Sequence, residues 1–174
     1  AFRDLRKYRN HDAEPAKKYN GFWIAEGGAC HNALCGAAEI VKEIELDFDT
    51  LTLACGTGTT LAGIARTIPA SKKVLGFSAL KGGGFLENNI KKLLHMKGVP
   101  NWSVNFDYHF GGFAKTTDEL ASFIEVFQSQ NNIPLERLYN GKMLYGLLDL
   151  IKNDRFKKNH KVIAIHTGGL QGNR

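Results

Sequence analysis

No apolar run in these 174 residues approaches the ~20 residues that a membrane-spanning helix needs. No secretory signal opens the chain either, because its first residues are charged and mixed. Cysteine is scarce. Cys30, Cys35 and Cys55 are an odd number without metal-site spacing, and they read as reduced thiols of a cytoplasmic protein. Internal repeats and low-complexity tracts are absent. The basic excess, net charge +6, lacks an aromatic-interleaved stripe and lacks zinc-finger spacing. It sits in Arg3, Arg6, Lys7, Arg9, Lys17 and Lys18 and in pairs such as Lys72-Lys73, Lys91-Lys92 and Lys157-Lys158. Solvated faces that attract small anions account for it better than a nucleic acid does. The expectation is a chain with neither nucleic-acid nor membrane partners.

What remains is ordinary globular material, 43% hydrophobic and 23% charged, long enough to bury a core as one domain or as one domain and part of another. Residues 1–20 are polar and show no periodicity. Gly21 to Ala25 reads as a short apolar strand, followed by the turn Glu26-Gly27-Gly28. Ala37, Ile40, Val41 and Ile44 fall at helical spacing in a helix from Asn32 to Glu43. A buried strand ends at Cys55, and a helix runs from Thr59 to Thr67. Lys73 to Ser78 is a second buried strand. Phe85 to Met96 is a helix with Leu86, Ile90, Leu93 and Leu94 on its apolar face. Trp102 to Phe110 alternates like a strand. Thr116 and Glu119 form a capping box for a helix to Gln130. Gly141 to Asn153 is a helix burying Leu144, Leu147, Leu148 and Ile151, and Lys161 to His166 is a last strand. Strands alternating with such helices predict an α/β fold with an open, largely parallel sheet and helices on both faces. Ligands of such sheets sit beyond the carboxyl ends of the strands, where the turns after Ala54 and His166 would lie.

The segment from Leu51 to Gly63 is the most informative. It reads as strand, glycine-rich turn and helix start, and Cys55-Gly56-Thr57-Gly58-Thr59-Thr60 combines small residues with hydroxyls. Free N–H groups at a helix start make an anion site, and three threonines suit a phosphate. The loop is also similar to that of S-adenosylmethionine-dependent methyltransferases. Those carry an acid where Thr52 stands and another at the end of the next strand, and Val74 to Ser78 has none. A non-catalytic module that binds phosphate or cofactor is the third reading.

Four segments, in order, carry a closer resemblance: Glu26-Gly27-Gly28, Cys55 to Thr60, Leu138-Tyr139-Asn140-Gly141-Lys142, and Ile165-His166-Thr167-Gly168-Gly169. Together they resemble the fold-type-II pyridoxal-phosphate enzymes of the tryptophan synthase β-subunit group, nearest the 1-aminocyclopropane-1-carboxylate deaminase and D-cysteine desulfhydrase family. The resemblance implies pyridoxal 5'-phosphate as cofactor, with its phosphate on Cys55, Gly56, Thr57, Gly58, Thr59 and Thr60. It implies a small amino acid as substrate, giving a 2-oxo acid and ammonia, and a homodimer. Tyr139 matches the family tyrosine near the reacting carbon and is the candidate acid/base or nucleophile. Asn140 falls where relatives place the group facing the pyridine nitrogen. Deaminases have Glu there and desulfhydrases commonly Thr, and Asn140 is also readable as a helix N-cap. Thr167 fits the desulfhydrase pattern. Phe110 stands near a second tyrosine of some relatives. His166 reads as a core histidine with its hydrogen bonds satisfied, and Asn32 as either a contact or a cap. The family's Schiff-base lysine, in a Ser/Gly-Asn-Lys context, has no counterpart here, and Lys81 and Lys142 do not match it. Residues 1–174 therefore read as part of a large cofactor-binding domain without the family's N-terminal part. Alone, the chain is expected to be inactive.

Overall fold

In the computed structural model the described residues are 14–95 and 101–173. Arg3, Arg6, Lys7, Arg9 and Met96, named above, lie outside them. The chain enters through α1 (Glu14–Tyr19), within a stretch that shows no periodicity in sequence. A 3₁₀ turn at Glu26–Gly28 leads to α2 (His31–Lys42). Then come β1 (Thr50–Cys55), α3 (Thr59–Thr67), β2 (Lys73–Ser78), α4 (Phe85–Leu93) and β3 (Trp102–Asn105). After these, α5 (Asp118–Asn131) and α6 (Asn140–Lys152) precede β4 (Val162–Ile165).

The four strands form one parallel sheet in the order β3-β2-β1-β4. The chain steps outward from β1 through β2 to β3, then returns to the other side of β1. The connections from β1 and from β4 therefore part company between those two strands, and an open sheet binds ligands at such a point. Both glycine-rich turns emerge there.

Strand periodicity divides the core. Leu51, Leu53, Cys55 and Val74 join Leu34 of α2, Leu61 and Ile64 of α3 and Leu86 and Ile90 of α4. On the other face Phe77 meets Met143 and Leu147 of α6, with Ala54 and Leu75 beside them. Helices thus cover both faces, which is why β1 is buried almost throughout. α5 packs outside α6 through Leu120 and Ile124.

Several expectations shift. Gly21 to Ala25 is extended but belongs to no strand, and Phe22 and Ile24 are exposed, because no neighbouring strand among the described residues pairs with it. β3 stops at Asn105, whose side chain accepts the Asp107 N–H at 2.9 Å and turns the chain. The cap of α5 is Thr117, accepting from Leu120 N–H at 3.2 Å, rather than Thr116. α6 faces the sheet along Met143, Gly146 and Leu147, leaving Leu148 and Ile151 exposed. Gly146 sets that face. A Cβ there would lie 2.7 Å from Phe77 and Tyr108, so only glycine lets the helix approach so closely.

α2 crosses α3 at Gly63, where a Cβ would lie 2.6 Å from Ala37 Cβ and 2.7 Å from the Leu34 carbonyl oxygen. Gly63→Ala is expected to lose about 1–3 kcal/mol through overpacking, despite alanine's better helix propensity. In urea the midpoint falls at unchanged m-value; a rise in midpoint would contradict the crossing.

Candidate functional site

Gly58 is the hinge of the first loop. It has φ of +83°, and a Cβ would sit 2.5 Å from Ile90 Cγ1, so conformation and space both demand glycine. As N-cap of α3 it offers no side-chain acceptor, leaving N–H groups of the first turn pointing out of the helix. The Thr57 and Thr59 hydroxyls bond each other at 2.9 Å. Gly27, with φ of +64°, is pressed against the Thr57 side chain, so the first glycine turn braces the loop. The Cys55 thiol points the other way. Its sulfur abuts Gly76 in the core, and burial pushes its pKa up to about 12. Cys55 can offer the cleft only its main chain.

An open cleft of about 1270 Å³ begins at this loop. Gly56, Thr57 and Thr60 line one side; Glu136, Tyr139, Asn140, Thr167, Gly168 and Gly169 line the other. Tyr139 lies over the loop, its hydroxyl 3.5 Å from where a Gly56 Cβ would be. Gly58 and Thr59 support the loop from behind, and Thr59 is buried.

Tyr139 and Asn140 begin α6, and a buried carboxylate fixes them there. Glu136, 1% exposed, accepts N–H groups from Leu138, from Tyr139 at 2.9 Å and from Asn140. Three main-chain donors at a helix start satisfy a charge that burial would otherwise make costly. Asn140, also 1% exposed, is the first helical residue rather than the cap. Its Nδ2 donates to the Gly168 carbonyl at 2.7 Å. A carbonyl only accepts, so the amide's orientation is set, and Oδ1 is left buried without a partner. An orphaned acceptor in a cleft wall fits a ligand that brings a hydrogen.

The second loop is held by His166. Its Nδ1 accepts the Gly168 N–H at 3.0 Å, so Nε2 carries the proton donated to the Pro134 carbonyl at 2.9 Å. It is satisfied as expected, but it is exposed rather than a core residue, because it stands beyond the end of an edge strand. Phe110 packs edge-on against Tyr145 at 4.9 Å, away from the cleft. Asn32 lies exposed in the first turn of α2, whose cap is Cys30. Sequence reasoning missed three residues: Glu136, Phe113, which lines the cleft, and Lys142. The Gly111-Gly112 pair is a local sign of a turn that could present Phe113. Nothing local marks the other two. Lys92 is the one cation among the described lining residues. At the end of β2 stands Ser78, whose hydroxyl accepts from Leu80 N–H at 3.2 Å; no acid is there to grip a ribose.

A glycine loop on an uncapped helix start, at the switch point of a parallel sheet, defines the class: an α/β protein with an open cleft at the carboxyl ends of its strands. No family model matches the chain. It is 32% identical to a Pyrococcus horikoshii protein provisionally named a 1-aminocyclopropane-1-carboxylate deaminase, covering 97% of this chain and 56% of that one. It is also 32% identical to the mitochondrial bifunctional D-cysteine desulfhydrase/1-aminocyclopropane-1-carboxylate deaminase of Arabidopsis thaliana, over 86% of this chain and 41% of the relative. A solved structure described as an ACC deaminase homologue superimposes with a TM-score of 0.75 at 30% identity, covering 97% of this chain and 56% of that one. The chain belongs to this deaminase/desulfhydrase family of fold-type-II pyridoxal-phosphate enzymes, and spans about half the length of the curated relatives it matches.

Glu136→Ala is expected to cost about 2–3 kcal/mol, since it strips a charged acceptor from buried N–H groups. Thr167→Ala, at an exposed position, stays within about 0.5 kcal/mol. Urea denaturation of both variants checks the contrast; equal midpoints would remove Glu136 from the support of the cleft.

Proposed function

We propose that this chain holds pyridoxal 5'-phosphate in the cleft, as the large-domain portion of a deaminase/lyase that turns a small amino acid into a 2-oxo acid and ammonia. The observation that carries this reading is the Cys55–Thr60 loop: an uncapped helix start with paired threonine hydroxyls, at the sheet's switch point and beneath Tyr139. The phosphate belongs on the main-chain N–H groups of residues 55–60 and the hydroxyls of Thr57 and Thr60, with the buried Thr59 hydroxyl holding that of Thr57 in place. The start of α6 is closed to it, because Glu136 already takes those N–H groups. The orphaned Oδ1 of Asn140 suits a protonated ring nitrogen, and Thr167 lies in the same wall.

When bound, the cofactor supplies an electron sink for the substrate's α-carbon. The chain's own residues bind, orient and move protons. Tyr139 stands beside the loop as acid/base at the reacting carbon. Asn140 holds a ring proton less firmly than a carboxylate would, because an amide oxygen is a weaker acceptor than an ionised one. That weaker sink favours expulsion of a good leaving group, so D-cysteine, releasing sulfide, is the substrate we favour over the cyclopropane amino acid. The 174 residues contain no Ser-Asn-Lys or Gly-Asn-Lys segment, and this chain by itself binds cofactor without turnover. The same reading includes a cytoplasmic homodimer. No described helix is long and apolar enough to cross a membrane.

Titration of the chain with pyridoxal 5'-phosphate and with pyridoxal, followed by absorbance, tests the loop. Replacing both Thr57 and Thr59 by Ala is expected to weaken the phosphate form about 10–100-fold, as loss of one hydrogen bond to a charged group and of the hydroxyl that orients it predicts, and pyridoxal by less than about twofold. Equal effects on both, or none on either, would overturn the assignment. Tyr139→Phe in the intact enzyme is expected to lower kcat by about 10²–10⁴-fold while cofactor affinity changes less than about threefold. Undiminished kcat would remove Tyr139 from the chemistry.

A further inference from the structure

The lip of the cleft that carries Phe113 is backbone that needs outside support. In the loop of residues 109–115, Phe110, Gly111, Gly112 and Ala114 have positive φ, at 51°, 90°, 117° and 56°. For Phe110 and Ala114 that region is strained, and it persists only where the surroundings over-determine it. Three internal bonds contribute: Gly112 N–H to the His109 carbonyl at 3.0 Å, Lys115 N–H to the Gly112 carbonyl at 3.1 Å, and Gly111 N–H to His109 Nδ1 at 3.0 Å. The same two carbonyls receive a far stronger donor. Lys142 of α6 donates from Nζ to His109 O at 2.9 Å and to Gly112 O at 2.8 Å.

Lys142 is 1% exposed. Burial lowers its pKa, and the Glu136 carboxylate works against that shift. An apolar side chain would fill the same volume without the cost of burying a charge. An ammonium placed on two carbonyls of a distant segment is a tether, because each charge-assisted bond holds that backbone in one conformation.

Phe113 is what the tether delivers. It lies on the same lip, lines the cleft at 53% exposed, and its ring centroid stands 6.0 Å from that of Tyr139. Lys142 follows Tyr139 by three residues, one turn along α6. One side chain thus couples the helix that carries Tyr139 and Asn140 to the lip that carries Phe113. A half-exposed phenyl ring beside a tyrosine is an apolar wall suited to a planar heteroaromatic ring.

We propose that Lys142 is a positioning residue: its ammonium holds the 109–112 backbone so that Phe113 stands beside Tyr139 as a wall for the ligand's planar ring. The ligand's identity rests on the function proposed above; the tether does not.

The test compares Lys142→Met and Phe113→Ala with the unaltered full chain. Amide hydrogen exchange without ligand reads the lip. Visible circular dichroism of bound pyridoxal 5'-phosphate reads how firmly the ring is oriented. Lys142→Met is expected to speed exchange at Gly112 and Lys115 at least tenfold, with the sheet and α6 unchanged, and to reduce the visible dichroism to the level of Phe113→Ala. Unchanged exchange in Lys142→Met overturns the tether. Faster exchange with undiminished dichroism overturns the role at the site, since a merely structural lysine gives that result. If Lys142→Met does not fold, Phe113→Ala decides: unchanged dichroism there overturns the proposal. Failure of the unaltered chain to bind the cofactor, seen by absorbance, overturns the proposed function and the ligand half of this proposal together, while the exchange measurement still decides the tether.

Discussion

The cleft depends on the buried carboxylate of Glu136. It neutralises the start of α6 and so fixes the main chain of Tyr139 and Asn140. Asn140 then reaches the second loop through the Gly168 carbonyl. Gly169 closes against Glu136 from the other side, where a Cβ would lie 3.2 Å from its Cγ. One acid thereby joins α6, Tyr139 and the turn after β4 into a single wall. Its burial is tolerable because three N–H groups at a helix start meet it.

That arrangement also decides where an anion can go. Helices α3, α4 and α6 all start along the cleft, each start carrying a partial positive charge, and that of α4 has Glu87 in its first turn to offset it. The start of α6 is occupied by Glu136. The start of α3 has Gly58 at its cap and no side-chain acceptor. An anion would therefore find its donors on one side, with the paired Thr57 and Thr59 hydroxyls beside them. The opposite wall carries an acceptor in need of a hydrogen, Asn140 Oδ1. A ligand with an anion at one end and a donor at the other matches both.

The segments legible in sequence are those whose signals are local. The strand, glycine loop and helix from Leu51 to Thr67 appear where the pattern puts them, and so does Lys73 to Ser78, because apolar runs and glycine turns act over a few residues. Gly21 to Ala25 has strand composition, but no strand among the described residues pairs with it, and pairing is tertiary. Leu148 and Ile151 fit an apolar helix face, yet the face is chosen by Gly146 closing on Phe77 and Tyr108. Within the site, glycines and threonines announce themselves through conformation and hydroxyl chemistry. Glu136 and Lys142 do not. A charged residue usually reads as solvated surface, and only the assembled fold shows N–H groups or carbonyls waiting for its charge.

The scarcity of formal positive charge at the cleft follows from the same economy of backbone groups. The chain's net charge is +6, but Lys92 is the one cation among the described lining residues. A phosphate on the Cys55–Thr60 loop would rely on oriented N–H groups and hydroxyls instead. Such dipoles are fixed by the fold before the ligand arrives, whereas a long lysine side chain must be ordered on binding. Gly58 makes that preorganisation possible, since any Cβ there would meet Ile90 and strain the turn that aims the N–H groups. Gly27 guards it from the other side by lying flush against Thr57. The glycines of the two turns thus shape the helix start on which the proposed anion site rests, and the overall basic charge would add only long-range attraction.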